Sequence, residues 1–212
     1  MQFDRTRILL LSLFVIFCAC TTLGQQTDES LIKSAFLKGL SNDLDGAIAD
    51  CTAAINLNPN SDKAFTCRGS YRYQKGDMEG AIADYTSAIK LAPKAVRAYT
   101  GRADAYAATG QSKLAFADYA KVLELDPTSK YNDTLYLNRG RLRFGLKDYE
   151  GAIMDFTKAI ELNPGYVPAY EARAKAYRAI GKNSLADDDD KSAEIAKQKL
   201  KQKLLELLKK PN

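Results

Sequence analysis

The sequence predicts an all-α solenoid built from stacked helix-turn-helix units. Three observations carry that prediction. Proline stands at Pro59, Pro93, Pro127 and Pro164, at intervals of 34, 34 and 37 residues. Each proline closes a variant of one phrase: AIADCTAAINLNP, AIADYTSAIKLAP, AFADYAKVLELDP and AIMDFTKAIELNP. Within the phrase, apolar and small residues recur three and four apart, the spacing of one stripe on an α-helix. A repeat of this length is one supersecondary unit that cannot bury its own apolar face. Neighbours must stack to make the core.

Residues 1–24 read as a secretory signal. Arg5 and Arg7 precede an apolar run from Ile8 to Cys20 broken only by Ser12, and small and polar residues follow. A basic segment, a short apolar segment and small residues at the exit have that meaning, and the run is short for a membrane span. Thr22 and Gly24 suit cleavage before Gln25. Phe17-Cys18-Ala19-Cys20 also resembles a bacterial lipobox, departing from it at Phe17 and Cys18; in that reading Cys20 is lipidated. Both readings predict export, to the periplasm or the exterior, the second with a membrane anchor.

Five units are expected in residues 25–190, starting near Asp28, Asp62, Val96, Asp133 and Val167. The first helix of each (helix A) carries a bulky residue, Leu31, Phe65, Tyr99, Tyr136 and Tyr170. Four places on comes a small one, Ala35, Gly69, Ala103, Gly140 and Ala174. The second helix (helix B) carries Ala47, Ala81, Ala115, Ala152 and Ala186, then Ala54, Ala88, Val122, Ala159 and Ala193, with Cys51, Tyr85, Tyr119 and Phe156 between. Small residues let helix axes approach, and bulky ones fill the gaps. Gly76 and Gly110 suit a left-handed helix end, and the prolines stop helix B. The columns resemble the tetratricopeptide repeat over residues 28–198, which implies a right-handed solenoid and a protein-binding role.

The fifth unit departs from the pattern. Asp190 replaces the aromatic, and no proline follows. Helix B is therefore expected to run from Ser184 to about Leu208, with Ala193, Ala196, Leu200, Leu204, Leu207 and Leu208 on one face. That face is expected to cap the end of the stack. The alternative is an amphipathic helix, over the basic segment 191–212, that binds a partner or a membrane surface. Ser184 and Asp187 suggest a capping box, which accounts for the acidic run Asp187–Asp190 without a metal. Thr128–Asn132 holds the three extra residues and predicts a longer loop; Asn132-Asp133-Thr134 is a glycosylation sequon.

Every unit has an aspartate at one place in helix B: Asp50, Asp84, Asp118, Asp155 and Asp189. Units two to five have an arginine in helix A, Arg68, Arg102, Arg139 and Arg173, where unit one has Ser34. Because the first unit alone lacks the arginine, the expected pairing crosses units: Asp50 with Arg68, Asp84 with Arg102, Asp118 with Arg139, Asp155 with Arg173. Pairing within each unit is the rival. Cys51 and Cys67 fall on neighbouring helices. They are read as a disulfide permitted by export, or Cys51 alone as a buried apolar residue.

The resemblance implies a concave face lined by the A helices. Matching columns place Ile32, Phe36, Lys63, Thr66, Tyr73, Arg97, Thr100, Asp104, Leu137, Arg141, Phe144, Glu171, Lys175 and Arg178 there. Aromatic and aliphatic patches alternating with cations suit an extended acidic or apolar peptide. The Lys-Asn-Asn-Lys-Arg constellation by which some family members grip chaperone termini does not match. Its places hold Ile32, Phe36, Cys67, Arg97 and Gly101. No catalytic, cofactor or metal site is expected: the chain has no histidine, no nucleophile–base pairing and no phosphate-cradling glycine loop. Nucleic acid is not expected either. The formal charge of +5 is concentrated at the C-terminal end, where residues 191–212 hold seven Lys and two Glu.

Overall fold

The computed structural model describes residues 26–208, so the signal segment and Cys20 lie outside the described residues. Ten helices follow one another, with no strand among the described residues: α1 (Asp28–Leu40), α2 (Leu44–Leu57), α3 (Asp62–Lys75), α4 (Met78–Leu91), α5 (Val96–Ala108), α6 (Ser112–Leu125), α7 (Asn132–Gly145), α8 (Tyr149–Leu162), α9 (Val167–Ala179) and α10 (Asn183–Leu208). Odd-numbered helices are the A helices, and even-numbered ones the B helices.

The turns inside the hairpins share one solution. Gly76, Gly110 and Gly181 take φ of 89°, 75° and 76°, and Asn42 and Lys147 take 61° and 65° at the same place. The chain must reverse there through the left-handed region, which glycine enters without a steric cost. Asp43, Asp77 and Asp148 then cap α2, α4 and α8, each accepting from a glycine N–H three residues on at 2.9–3.0 Å. The far ends of two hairpins are tied as well. Asn58 donates to Asp28 and Asn163 to Asp133, at 2.9 and 2.8 Å.

Each A helix touches the A helix of the next unit, whereas successive B helices do not touch. The A helices therefore lie on the inside of the curve. Between the two layers sit Tyr85, Tyr119 and Phe156, all buried. The approach depends on glycine: a Cβ on Gly140 would come within 2.6 Å of the Phe156 ring. Gly140→Ala is expected to cost about 1–3 kcal/mol by overpacking, read as a lowered urea midpoint.

The charge ladder corrects the expected pairing. Arg68, Arg102, Arg139 and Arg173 each donate through Nε and Nη2 to the aspartate of their own unit, Asp84, Asp118, Asp155 and Asp189, at 2.6–3.0 Å. What crosses units is the third nitrogen. Nη1 of Arg68, Arg102 and Arg173 reaches Thr52, Thr86 and Thr157 of the preceding B helix at 2.9–3.4 Å. Each guanidinium also lies over an aromatic ring of its own helix, Phe65, Tyr99, Tyr136 or Tyr170, at 5.2–5.9 Å. Asp50 is not orphaned by this arrangement. Ser34 donates to it at 2.6 Å and Lys38 pairs with it at 2.8 Å.

The insertion after Pro127 lengthens the linker as expected, to 126–131 against 58–61, 92–95 and 163–166 at the other junctions, whereas the C-terminal expectation changes. The inserted segment docks through Asn132, which is buried and donates its side-chain amide to the Asp126 carbonyl at 2.8 Å. That amide, the acceptor in the sequon, faces inward. The contact between α6 and α7 is the least extensive of the four inter-unit A–B contacts. At the C-terminal end, α10 buries Ala186, Asp189 and Ala193, but every residue from Lys197 to Leu208 is exposed. The helix outruns the stack that it was expected to cap. Its 26 residues span roughly 39 Å at 1.5 Å per residue, against about 20 Å for the 13 residues of α9. Ser184 lies inside α10, and the acidic run is occupied otherwise. Asp187 and Asp190 face Arg178, Asp188 faces Lys191, and Asp189 takes the ladder place.

Candidate functional site

The A-helix face holds most of the predicted residues, in three conditions. Phe36, Lys63, Arg97, Arg141, Glu171, Lys175 and Arg178 are exposed, and Ile32, Thr66, Tyr73, Thr100, Asp104 and Phe144 are half-buried. Leu137 is buried, a correction to its place on the face. The facing α9 presents Ala169 and Ala176, whose small side chains let that helix close over it. Several others are committed to the fold. Thr66 and Thr100 donate to Asp62 and Val96 carbonyls of their own helices at 2.8 and 3.0 Å. Lys63 faces Glu29 at 3.5 Å, and Arg178 is held by Asp187 and Asp190.

Four of the remaining residues converge between units four and five. Arg141 and Phe144 from α7, and Glu171 and Lys175 from α9, line a cavity of about 240 Å³ with Phe156, Pro168 and Ala172. Phe156 is a floor of buried aromatic carbon, and Phe144 is fixed edge-on against Tyr149 at 5.3 Å. Glu171 pairs with Lys197 of α10 at 2.8 Å. Among the described residues, Arg141 and Lys175 make no ion pair, which leaves two cations over an apolar floor. The floor residues escaped sequence reasoning, because a buried Phe156 reads only as core.

The centre of the face carries a different chemistry. Asp104 on α5 accepts from the Tyr119 hydroxyl at 2.5 Å and from the Asn138 amide of the next unit at 3.1 and 3.2 Å. It thus bridges units three and four, where the helix contact is least extensive. Burial pushes the Asp104 carboxyl above its ordinary range, although Tyr119 and Asn138 favour the ionised form. Burial and Asp104 together push the Tyr119 hydroxyl up, so it stays a donor.

The sign follows from linkage. A carboxyl whose folded pKa is raised favours the native state when protonated, and that contribution is lost as pH rises through the folded value. Compared with Asp104→Asn, the wild type should gain relative stability as pH falls from 7 toward 4. Denaturation midpoints of both proteins across that range check this; parallel profiles would contradict it.

Family models for "TPR repeat" and "Tetratricopeptide repeat" match residues 69–110, 96–129 and 134–166. Among solved structures, MamA superposes with a TM-score of 0.68 at 21% identity, covering 79% of this chain and 96% of that one. PilF of Pseudomonas aeruginosa gives 0.74 at 13% identity, covering 80% and 76%. A thermophilic TPR protein of Thermus thermophilus gives 0.68 at 17%, covering 84% and 96%. No curated protein sequence matches. At these identities the structures speak for the fold, and the repeat models speak for the sequence: residues 69–129 and 134–166 are tetratricopeptide repeats.

Proposed function

We propose that the protein is a non-catalytic scaffold acting outside the cytoplasm, gripping an extended acidic peptide segment of a partner along its A-helix face. The observation that carries this reading is the pair Arg141 and Lys175, without ion-pair partners among the described residues, over the Phe144 and Phe156 rings. A carboxylate beside an apolar side chain matches that arrangement. The cations bind the one, and the ring-lined cavity takes the other. Arg97, exposed in unit three next to the unit that holds Arg141, adds a further cation to the same face. Export is supported by the Arg5–Cys20 segment; lipidation at Cys20 would add a tether to the same activity.

Fluorescence anisotropy with short peptides pairing Glu with Leu or Phe, against their Gln counterparts, tests the reading. The acidic peptides should bind, and Arg141→Glu/Lys175→Glu should weaken them about tenfold, or 1.4 kcal/mol. Equal binding of the Gln peptides would contradict it.

The cysteines fit the same address. Cys51 and Cys67 face each other across α2 and α3 with Cα atoms 6.2 Å apart, within disulfide reach. A bridge closing this loop stabilises by about 3 kcal/mol. Protein from the oxidising compartment should therefore show no free thiol in the segment from Gln25 onward, and should lose stability on reduction. Two free thiols there would contradict the bridge.

A further inference from the structure

The distal half of α10 is an unpartnered amphipathic surface. Leu200, Leu204, Leu205, Leu207 and Leu208 are 48–75% exposed. Leu200, Leu204, Leu207 and Leu208 continue the stripe of Ala193 and Ala196, at spacings that keep one helical face. At about 3.6 residues per turn, Lys197 and Lys201 border that stripe on one side, and Lys199 and Lys203 on the other. Gln198, Gln202 and Glu206 lie opposite the stripe.

This distribution discriminates between occupants. A second copy would bring lysine borders against lysine borders, since only Glu194 and Glu206 offset the four lysines. Paired amphipathic helices instead place opposite charges at their flanks. The stack itself cannot cover the stripe, because the helix extends past α9. An anionic bilayer surface satisfies both parts. Leucines enter the acyl boundary, while lysine stems lie along it and put their ammonium groups among the headgroups. Among the described residues no helix is long and apolar enough to cross a membrane, so the geometry is one of lying on the surface.

We infer that residues 198–208 form a membrane-surface helix that docks the scaffold on anionic lipid. Neither Arg141 nor Lys175 lies in the segment, and Lys197, which pairs with Glu171 at the pocket rim, stays unchanged in the variants below.

Vesicle co-sedimentation tests it with the full chain, so that any contribution of the apolar segment 8–20 is common to wild type and variants. The probes are phosphatidylcholine vesicles and vesicles in which about a third of the lipid is phosphatidylglycerol. Wild type should prefer the anionic vesicles, and the preference should weaken as salt rises. Leu200→Ser/Leu204→Ser/Leu207→Ser should reduce anionic binding about tenfold, and Lys199→Glu/Lys201→Glu/Lys203→Glu should abolish the preference. All six side chains are exposed, so both variants should keep the wild-type thermal unfolding curve. Equal binding by wild type and both variants would overturn the proposal. So would sedimentation that shows a wild-type dimer and a Leu-variant monomer without lipid preference, which would assign the stripe to a second copy.

Discussion

Asp155→Ala is expected to destabilise the protein by about 3–5 kcal/mol, the cost of breaking a buried ion pair from one side. Asp155 retains only 3% side-chain exposure and takes Arg139 and Arg143 together, at 2.6 and 2.9 Å. Removing it leaves two guanidinium groups inside unit four: Arg139 loses its carboxylate partner, and Arg143 is left with Asp148 at 3.7 Å and the Gly151 carbonyl. The paired change Asp155→Leu/Arg139→Met should recover part of the loss, because it removes the more deeply buried of the two guanidinium groups, while Arg143 keeps Asp148 at 3.7 Å. Glu124→Ala, which breaks the exposed pair with Lys121, should stay within about 1 kcal/mol. Urea unfolding followed by circular dichroism measures all three. A loss under about 1 kcal/mol for Asp155→Ala would mean that the ladder is screened by water.

Phe156→Ala should cost a similar amount, about 3–5 kcal/mol. Phe156 is 1% exposed and packs where Gly140 admits its ring between α7 and α8. The deletion leaves a cavity that cannot collapse, since Gly140 has no side chain to move inward. It also removes the floor of the pocket beneath Arg141 and Lys175, so peptide binding should weaken alongside stability. Phe156→Leu, closer in volume, should lose less of both. In a repeat array a local loss can uncouple neighbouring units, so the unfolding slope as well as the midpoint must be compared. An unchanged midpoint would show that the layer closes over the vacancy.

The repeat, its helices and its turns could be read from the sequence because they rest on local spacing. The five left-handed turn positions follow the repeat even where Asn42 and Lys147 replace glycine. The partners of the ladder could not be read in the same way. Asp50 is 18 residues before Arg68 and Asp84 is 16 after it. In a solenoid both lie on adjacent helices, so spacing does not choose. The missing arginine of unit one misled, because Ser34 and Lys38 supply Asp50 locally. Likewise, the leucine stripe on α10 was visible, but periodicity does not say what covers a face. The pocket was half visible. Its charged rim follows from the columns, while its floor depends on how close α9 comes to α7.

The most direct test of the account places a photo-reactive residue at Lys175, in the groove, and in a second protein at Lys90, exposed on helix α4 of the B layer. Irradiation in the native compartment should give a partner adduct from position 175 and none from position 90, and Arg141→Glu should remove the adduct. A partner captured from position 90 and not from 175 would contradict binding on the A-helix face.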